Sequence, residues 1–198
     1  GASLKLINSN YQLYKSSAIA LDFGVLYSDS SHHFSASVLA KNMGGQIKTY
    51  AGEAEDLPFD LQIGITERLS KAPFGFSVTA QHVHQFNTIY DDAVFNSDNN
   101  FSSGDHFFNK LLNHFVVAGH VYLGNNLEAT VGYNYLRRQE LNIGSSGNGL
   151  NGFSMGVRIL FSKLQIEYAR SNYQTNVSYN QLGLTLQLNE LFGLGKEL

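Results

Sequence analysis

The chain is 198 residues long, 43% hydrophobic and 13% aromatic, which is enough apolar material for one sizeable domain and too much for a disordered chain. Charged residues make up 15%, against ~25% in typical soluble proteins, and a formal charge of -3 with no basic run longer than Arg137-Arg138 gives no electrostatic footprint for nucleic acid. The lack of cysteine excludes a disulfide scaffold and a thiolate metal site, and no stretch approaches the ~20 apolar residues of a membrane helix, which leaves membrane β-strands of ~10 alternating residues open.

The expected fold is all-β. Ten strands are predicted in order: Ser3–Ser9, Ala18–Ser28, Phe34–Tyr50, Phe59–Leu69, Phe74–His84, Asn113–Leu123, Leu127–Arg138, Phe153–Phe161, Leu164–Ser171 and Ser178–Leu188. The third carries Met43-Gly44-Gly45, where paired glycines predict a bulge or bend. One short helix is predicted over Asp105–Leu112, capped by Ser103 or Asp105, because Phe107, Phe108, Leu111 and Leu112 fall on one side of it. No repeat, Pro-rich linker or domain boundary interrupts the chain, so it reads as one domain, 1–198.

Turn lengths fix several registers. In the hairpin Phe59–His84, apolar Phe59, Leu61, Ile63 and Ile65 alternate with polar or small residues, as do Phe74, Phe76, Val78 and Ala80. The turn Ser70–Pro73 sets Ile65 opposite Val78 and Ile63 opposite Ala80, so both apolar sets share a face. The turn Gly124–Asn126 likewise joins odd-numbered apolar residues on both sides, and the two-residue Ser162-Lys163 turn matches Val157 and Ile159 with Tyr168 and Ile166. That last register places Arg158 opposite Glu167 and Gly156 opposite Ala169 on the polar face, so an Arg158–Glu167 pair is expected inside a hydrated lumen.

The connections alternate in expected length. Tyr11–Ser17, Ala51–Pro58, Gln85–Leu112 and Gln139–Gly152 are long and Asn172–Val177 is medium, while Asp29–His33, Ser70–Pro73, Gly124–Asn126 and Ser162-Lys163 are short. Short turns at one end and long loops at the other are the pattern of an antiparallel up-and-down outer-membrane β-barrel. The apolar face, including Leu21, Phe23, Val25, Val38, Met155, Val157, Leu182 and Leu184, would equally serve the core of a soluble sandwich.

Three chemical motifs lack the context their chemistry needs. Gly147-Asn-Gly149-Leu-Asn-Gly152 matches a dinucleotide fingerprint but leads into a strand instead of a helix. Gly152-Phe-Ser154-Met-Gly156 matches a nucleophile elbow, yet Ser154 falls on the alternating polar face. His82 and His84, with His114 and His120 on the next predicted strand, are the remaining candidates for a metal site or for a base to Ser154, with a phase slip expected at Val83. No catalytic, cofactor or metal residue is assigned from them.

The last strand reads Gln181, Gly183, Leu186 and Leu188 in the order polar, glycine, hydrophobic, hydrophobic, similar to the signal by which bacterial outer-membrane barrels are recognised for insertion. The segments DLPFDLQIGITERLSKAPFGFSVTAQHV, VGYNYLRRQELNIGSSGNGLNGFSMGVRI, LQIEYARSNYQ and LGLTLQLNELFGLGK together resemble the PorV/PorQ family of the type IX secretion system over nearly the whole chain. The specific markers are LPF before a strand, KAPF at a turn, GYNYLRR, IGSSGNGLNGFS and YARS.

The resemblance implies a bacterial outer-membrane barrel of the FadL-like type with roughly fourteen strands. Ten are counted here, so an even number, about four, is expected before Gly1, making the chain the C-terminal portion of a longer protein. It also implies a non-enzymatic role without cofactor or metal: a tether in a cell-surface attachment complex with PorZ, PorU and PorV that links secreted cargo to lipopolysaccharide. The expected docking surface is the pair of loops Gln85–Leu112 and Gln139–Gly152, with Arg137 and Arg138 at the rim, either as solvated rim charges or as partners for lipid phosphates. The alternative function is FadL-like transport of hydrophobic small molecules.

Overall fold

The structure, a computed structural model, describes residues 1–11, 14–29, 31, 33–49, 52–86, 88, 107–141, 149–174 and 177–187. Ten strands form one antiparallel up-and-down sheet in which each strand pairs with its chain neighbours. They are β1 Ala2–Tyr11, β2 Tyr14–Ser28, β3 Phe34–Lys48, β4 Asp60–Arg68, β5 Phe74–Ala80, β6 Phe115–Leu123, β7 Leu127–Asn134, β8 Phe153–Leu160, β9 Leu164–Gln174 and β10 Val177–Leu186. Among the described residues two short helices, α1 Phe107–Leu112 and α2 Tyr135–Leu141, interrupt the series. Among the described residues no pairing joins β1 to β10, so these two strands are the sheet edges.

The registers read from the short turns are the ones observed. Ile65 faces Val78 and Ile63 faces Ala80 across β4 and β5, and Val121 faces Ala129 across β6 and β7. Across β8 and β9, Val157 faces Tyr168, Gly156 faces Ala169 and Arg158 faces Glu167. A short turn leaves the chain few ways to reverse, and only one of them keeps both apolar sets on one face.

Three expectations need correction. The seventh strand does not run to Arg138: it stops at Asn134, whose Oδ1 accepts the Arg137 backbone N–H at 3.0 Å and so caps α2. The fifth strand stops at Ala80, because His82 adopts a φ of 54° that leaves the strand conformation, the slip expected near Val83. The first connection is not long, since Tyr11 already pairs with Tyr14, and the last is shorter than the medium length expected, since Gln174 pairs with Val177.

The glycine pair in β3 sits beside its bulges. The register shifts around Asp22, where Asn42 bulges with a φ of 57°, and again between Ser17 and Ala18. Asp22 accepts the Asn42 N–H at 2.8 Å, and Lys5 reaches both Asp22 at 2.7 Å and the Asn42 amide oxygen at 2.8 Å, pinning the bulge to β1 and β2. At Gly44 the backbone lies so close to the Ile19 carbonyl that a Cβ has no room, whereas at Gly45 nothing lies within 4 Å.

Burial in this sheet is inverted. The apolar face is the exposed one: Ile65 is 46% accessible, Phe74 52%, Val131 58% and Met155 51%. The only buried hydrophobic residues among those described are Ala18, Ala20 and Leu136. On the opposite face the side chains of His120 and Glu128 are only 13% and 15% accessible. Side chains crowd together on the inside of a curved sheet and spread apart on the outside, so the polar face is the concave one. No second sheet covers the apolar face, and no helix is long and apolar enough to cross a membrane among the described residues.

Candidate functional site

The concave face of β4 to β9 carries one connected polar network. Its centre is Arg158 on β8, whose Nε donates to Glu167 Oε1 on β9 at 2.7 Å and whose Nη1 donates to Glu128 Oε2 on β7 at 2.9 Å. Strand pairing puts all three side chains in one rung, with Gly183 of β10 beyond Glu167. Gln165 Nε2 adds a second bond to the same Glu167 oxygen at 2.8 Å. The Arg158–Glu167 pair expected from the register is therefore present, and Glu128 makes it a triad of one cation and two anions.

From Glu128 the network continues to β6 and β5. Glu128 Oε1 lies 2.8 Å from His120 Nδ1, and His120 Nε2 lies 2.8 Å from Ser77 Oγ. A carboxylate only accepts, so Nδ1 carries the proton toward Glu128 and Nε2 is left to accept from the serine hydroxyl. Thr130 Oγ1, 3.1 Å from Nδ1, braces the imidazole from the other side of the rung.

Tyr122 stacks on His120 at 6.2 Å, and the Arg68 guanidinium lies 4.2 Å from the centre of the Tyr122 ring. Gly75 makes this stack possible: a Cβ there would sit 2.9 Å from the Glu67 carbonyl oxygen and 3.0 Å from the Tyr122 ring. A cleft of about 340 Å³ opens beside Arg68 between the turns carrying Ser31, His33 and Lys71.

The end of the sheet that bears the long connections is built differently. Helix α2 reaches over the sheet end and touches both β6 and β9, and Tyr135 Oη donates to Asn109 Oδ1 of α1 at 3.2 Å. Asn113, His114, Leu136 and Asn151 are all buried, and Asn151 Nδ2 donates to the Leu141 carbonyl at 3.2 Å. His114 has its Nδ1 2.8 Å from the Lys110 carbonyl oxygen and its Nε2 3.0 Å from that of Gln85. Arg137 and Arg138, expected at a strand rim, lie instead on α2, half-buried, with Arg138 donating to the Gly149 carbonyl at 3.3 Å.

Of the four candidate histidines, His82 and His84 lie together with their rings 6.2 Å apart, and His114 and His120 do not join them. His82 sits beside Asp60, with Nδ1 3.3 Å from its Oδ1, and His84 packs edge-on against Phe59 at 4.8 Å. His114 belongs to the helical end and His120 to the network on the concave face. Among the described residues no three potential ligands converge on a metal position. Ser154 lies opposite Gly132 and Ser171, and Ser77, which the sequence reading passed over, is the serine bonded to a histidine.

Gln181 and Gly183 face Ala169 and Glu167 on the edge strand β10, and Leu186 is 58% exposed. Leu188 lies outside the described residues, as do Ser103, Asp105, most of Gln85–Leu112, and residues 142–148 and 188–198. No protein-family model and no curated protein matches the chain.

Proposed function

We propose that this sheet is the wall of a bacterial outer-membrane β-barrel of the PorV/PorQ family, of the PorQ type, which tethers PorZ and, through it, PorU and PorV for type IX secretion. The observation that carries the membrane part is the inverted burial. An exposed apolar face that spans neighbouring strands from Leu4 on β1 to Leu184 on β10 exceeds the about 300–600 Å² patch that a soluble monomer leaves in water. Lipid is the medium in which such a face costs nothing, and the polar concave face then lines the lumen.

The tethering part rests on the family resemblance and on the helical end. Helices α1 and α2 joined by the Tyr135–Asn109 bond make an ordered platform, with Arg137 and Arg138 supplying cations for lipid or lipopolysaccharide phosphates. Transport of hydrophobic small molecules asks for an apolar passage, and the ion pairs Lys5–Asp22 and Glu128–Arg158–Glu167 weigh against one.

The test is co-purification of the whole protein with PorZ, comparing wild type with a deletion of Gln85–Leu112. Loss of PorZ from the deletion is the expected result, and unchanged recovery rejects that connection as the dock. Recovery of the wild-type protein in the aqueous fraction after membrane separation rejects the outer-membrane reading itself.

A further inference from the structure

We propose that Ser77, His120 and Glu128 form a nucleophile, base and orienting carboxylate able to carry out acyl transfer on a short-chain carboxylic ester at the concave face. The inference stands on geometry alone and does not depend on the tethering role. Ser77 Oγ is 2.8 Å from His120 Nε2, and His120 Nδ1 is 2.8 Å from Glu128 Oε1, with the acid on the far nitrogen from the serine as acyl transfer requires.

Three adjacent strands supply the three residues, so their spacing is set by sheet geometry instead of by a loop. Glu128 is fixed from its second oxygen by Arg158, and Glu167 offsets that cation, leaving one net negative charge to stabilise the imidazolium formed when His120 takes the serine proton. Tyr122 and Thr130 hold the ring in plane.

The step balances with water as the only co-reactant. Ser77 Oγ attacks the ester carbonyl while its proton passes to His120 Nε2; the C–O bond to the alcohol breaks and His120 protonates the leaving alkoxide. Water then attacks the acyl-serine as His120 takes its proton; the C–O bond to Ser77 breaks, His120 returns the proton to Ser77 Oγ, and the carboxylic acid leaves. The backbone N–H groups of β5 are committed to the ladder, so side chains must meet the oxyanion. Thr66, directly opposite Ser77, and Arg68, two residues further on the same face, occupy the positions to do so. Ala118 and Gly132 continue the rung of Ser77 without bulky side chains, and the Ser154 hydroxyl lies 2.9 Å from where a Cβ of Gly132 would stand.

The experiment is labelling of the whole protein, in detergent micelles, with a fluorophosphonate probe, followed by peptide mass spectrometry. The phosphonyl group is expected on Ser77, with fluoride leaving and the serine proton taken by His120. Labelling should be lost in Ser77→Ala and fall about 100-fold or more in His120→Ala. It should fall about 10-fold or more in Glu128→Gln, with recovery in Glu128→Asp and a shifted pH profile, since Glu128 acts through the histidine. Ser154→Ala should label like wild type. The same variants should change the hydrolysis of p-nitrophenyl butyrate in parallel. A folded wild-type protein that takes no label, label on Ser154, or label on Ser77 that His120→Ala leaves unchanged overturns the proposal.

Discussion

Arg158 Nε lies 2.7 Å from Glu167 Oε1, and the same guanidinium holds Glu128 on its other side at 2.9 Å. Removing the arginine leaves two carboxylates facing one another across an empty rung. Arg158→Ala is expected to destabilise the protein by about 1–2 kcal/mol, because the site is partly hydrated, and Glu167→Gln by less, because Glu128 still pairs the arginine. Guanidinium unfolding in detergent checks the order, and an equal or smaller loss for Arg158→Ala contradicts the triad.

The adjacent glycines of β3 are expected to behave oppositely. At Gly44 a Cβ meets the Ile19 carbonyl oxygen, a backbone atom that cannot rotate aside, and at Gly45 it meets nothing within 4 Å. Gly44→Ala should cost about 2–3 kcal/mol or prevent folding, and Gly45→Ala should be near neutral by the same measurement.

The apolar face supplies a test of the medium it lies in. Val131 is 58% exposed in the middle of β7. Val131→Arg should cost about 2–4 kcal/mol in lipid vesicles, as a cation placed at bilayer depth. A change near zero would mean that this face is in water.

Helix α2 depends on its cap. Asn134→Ala removes the acceptor for the Arg137 N–H and is expected to cost about 1 kcal/mol, read as faster amide hydrogen exchange at Arg137 with exchange in β6 unchanged. Exchange that rises equally in both elements would show that the side chain supports the sheet and not the helix.

In the turn between β2 and β3, the Ser31 hydroxyl bond, helped by the backbone N–H groups of Phe34 and His33, holds the Asp29 carboxyl below its usual 3.8 despite partial desolvation. A depressed carboxyl stabilises the fold fully above its unfolded value, and that contribution disappears as pH falls through the folded value. The Asp29 carboxyl carbon should therefore titrate by NMR with a midpoint below 3.8, and Ser31→Ala should raise it.

The sequence was most legible where connections are short. Period-two alternation marked all ten strands, and the turns Ser70–Pro73, Gly124–Asn126 and Ser162-Lys163 set partners such as Arg158 and Glu167, because a short reversal couples register to face. It misread Tyr135–Leu141, where Gly132-Tyr133-Asn134-Tyr135 continues a strand pattern and only the Asn134 cap marks the change to a helix.

The chain by itself determined which residues share a face and which neighbours the short turns pair. Tertiary structure decided the pairs across long connections: Ser77 beside His120 over residues 81–114, and Glu128 opposite Arg158 over residues 135–152. A long connection leaves the strand it delivers free to slide, and only the packing of both faces of the assembled sheet fixes where it stops.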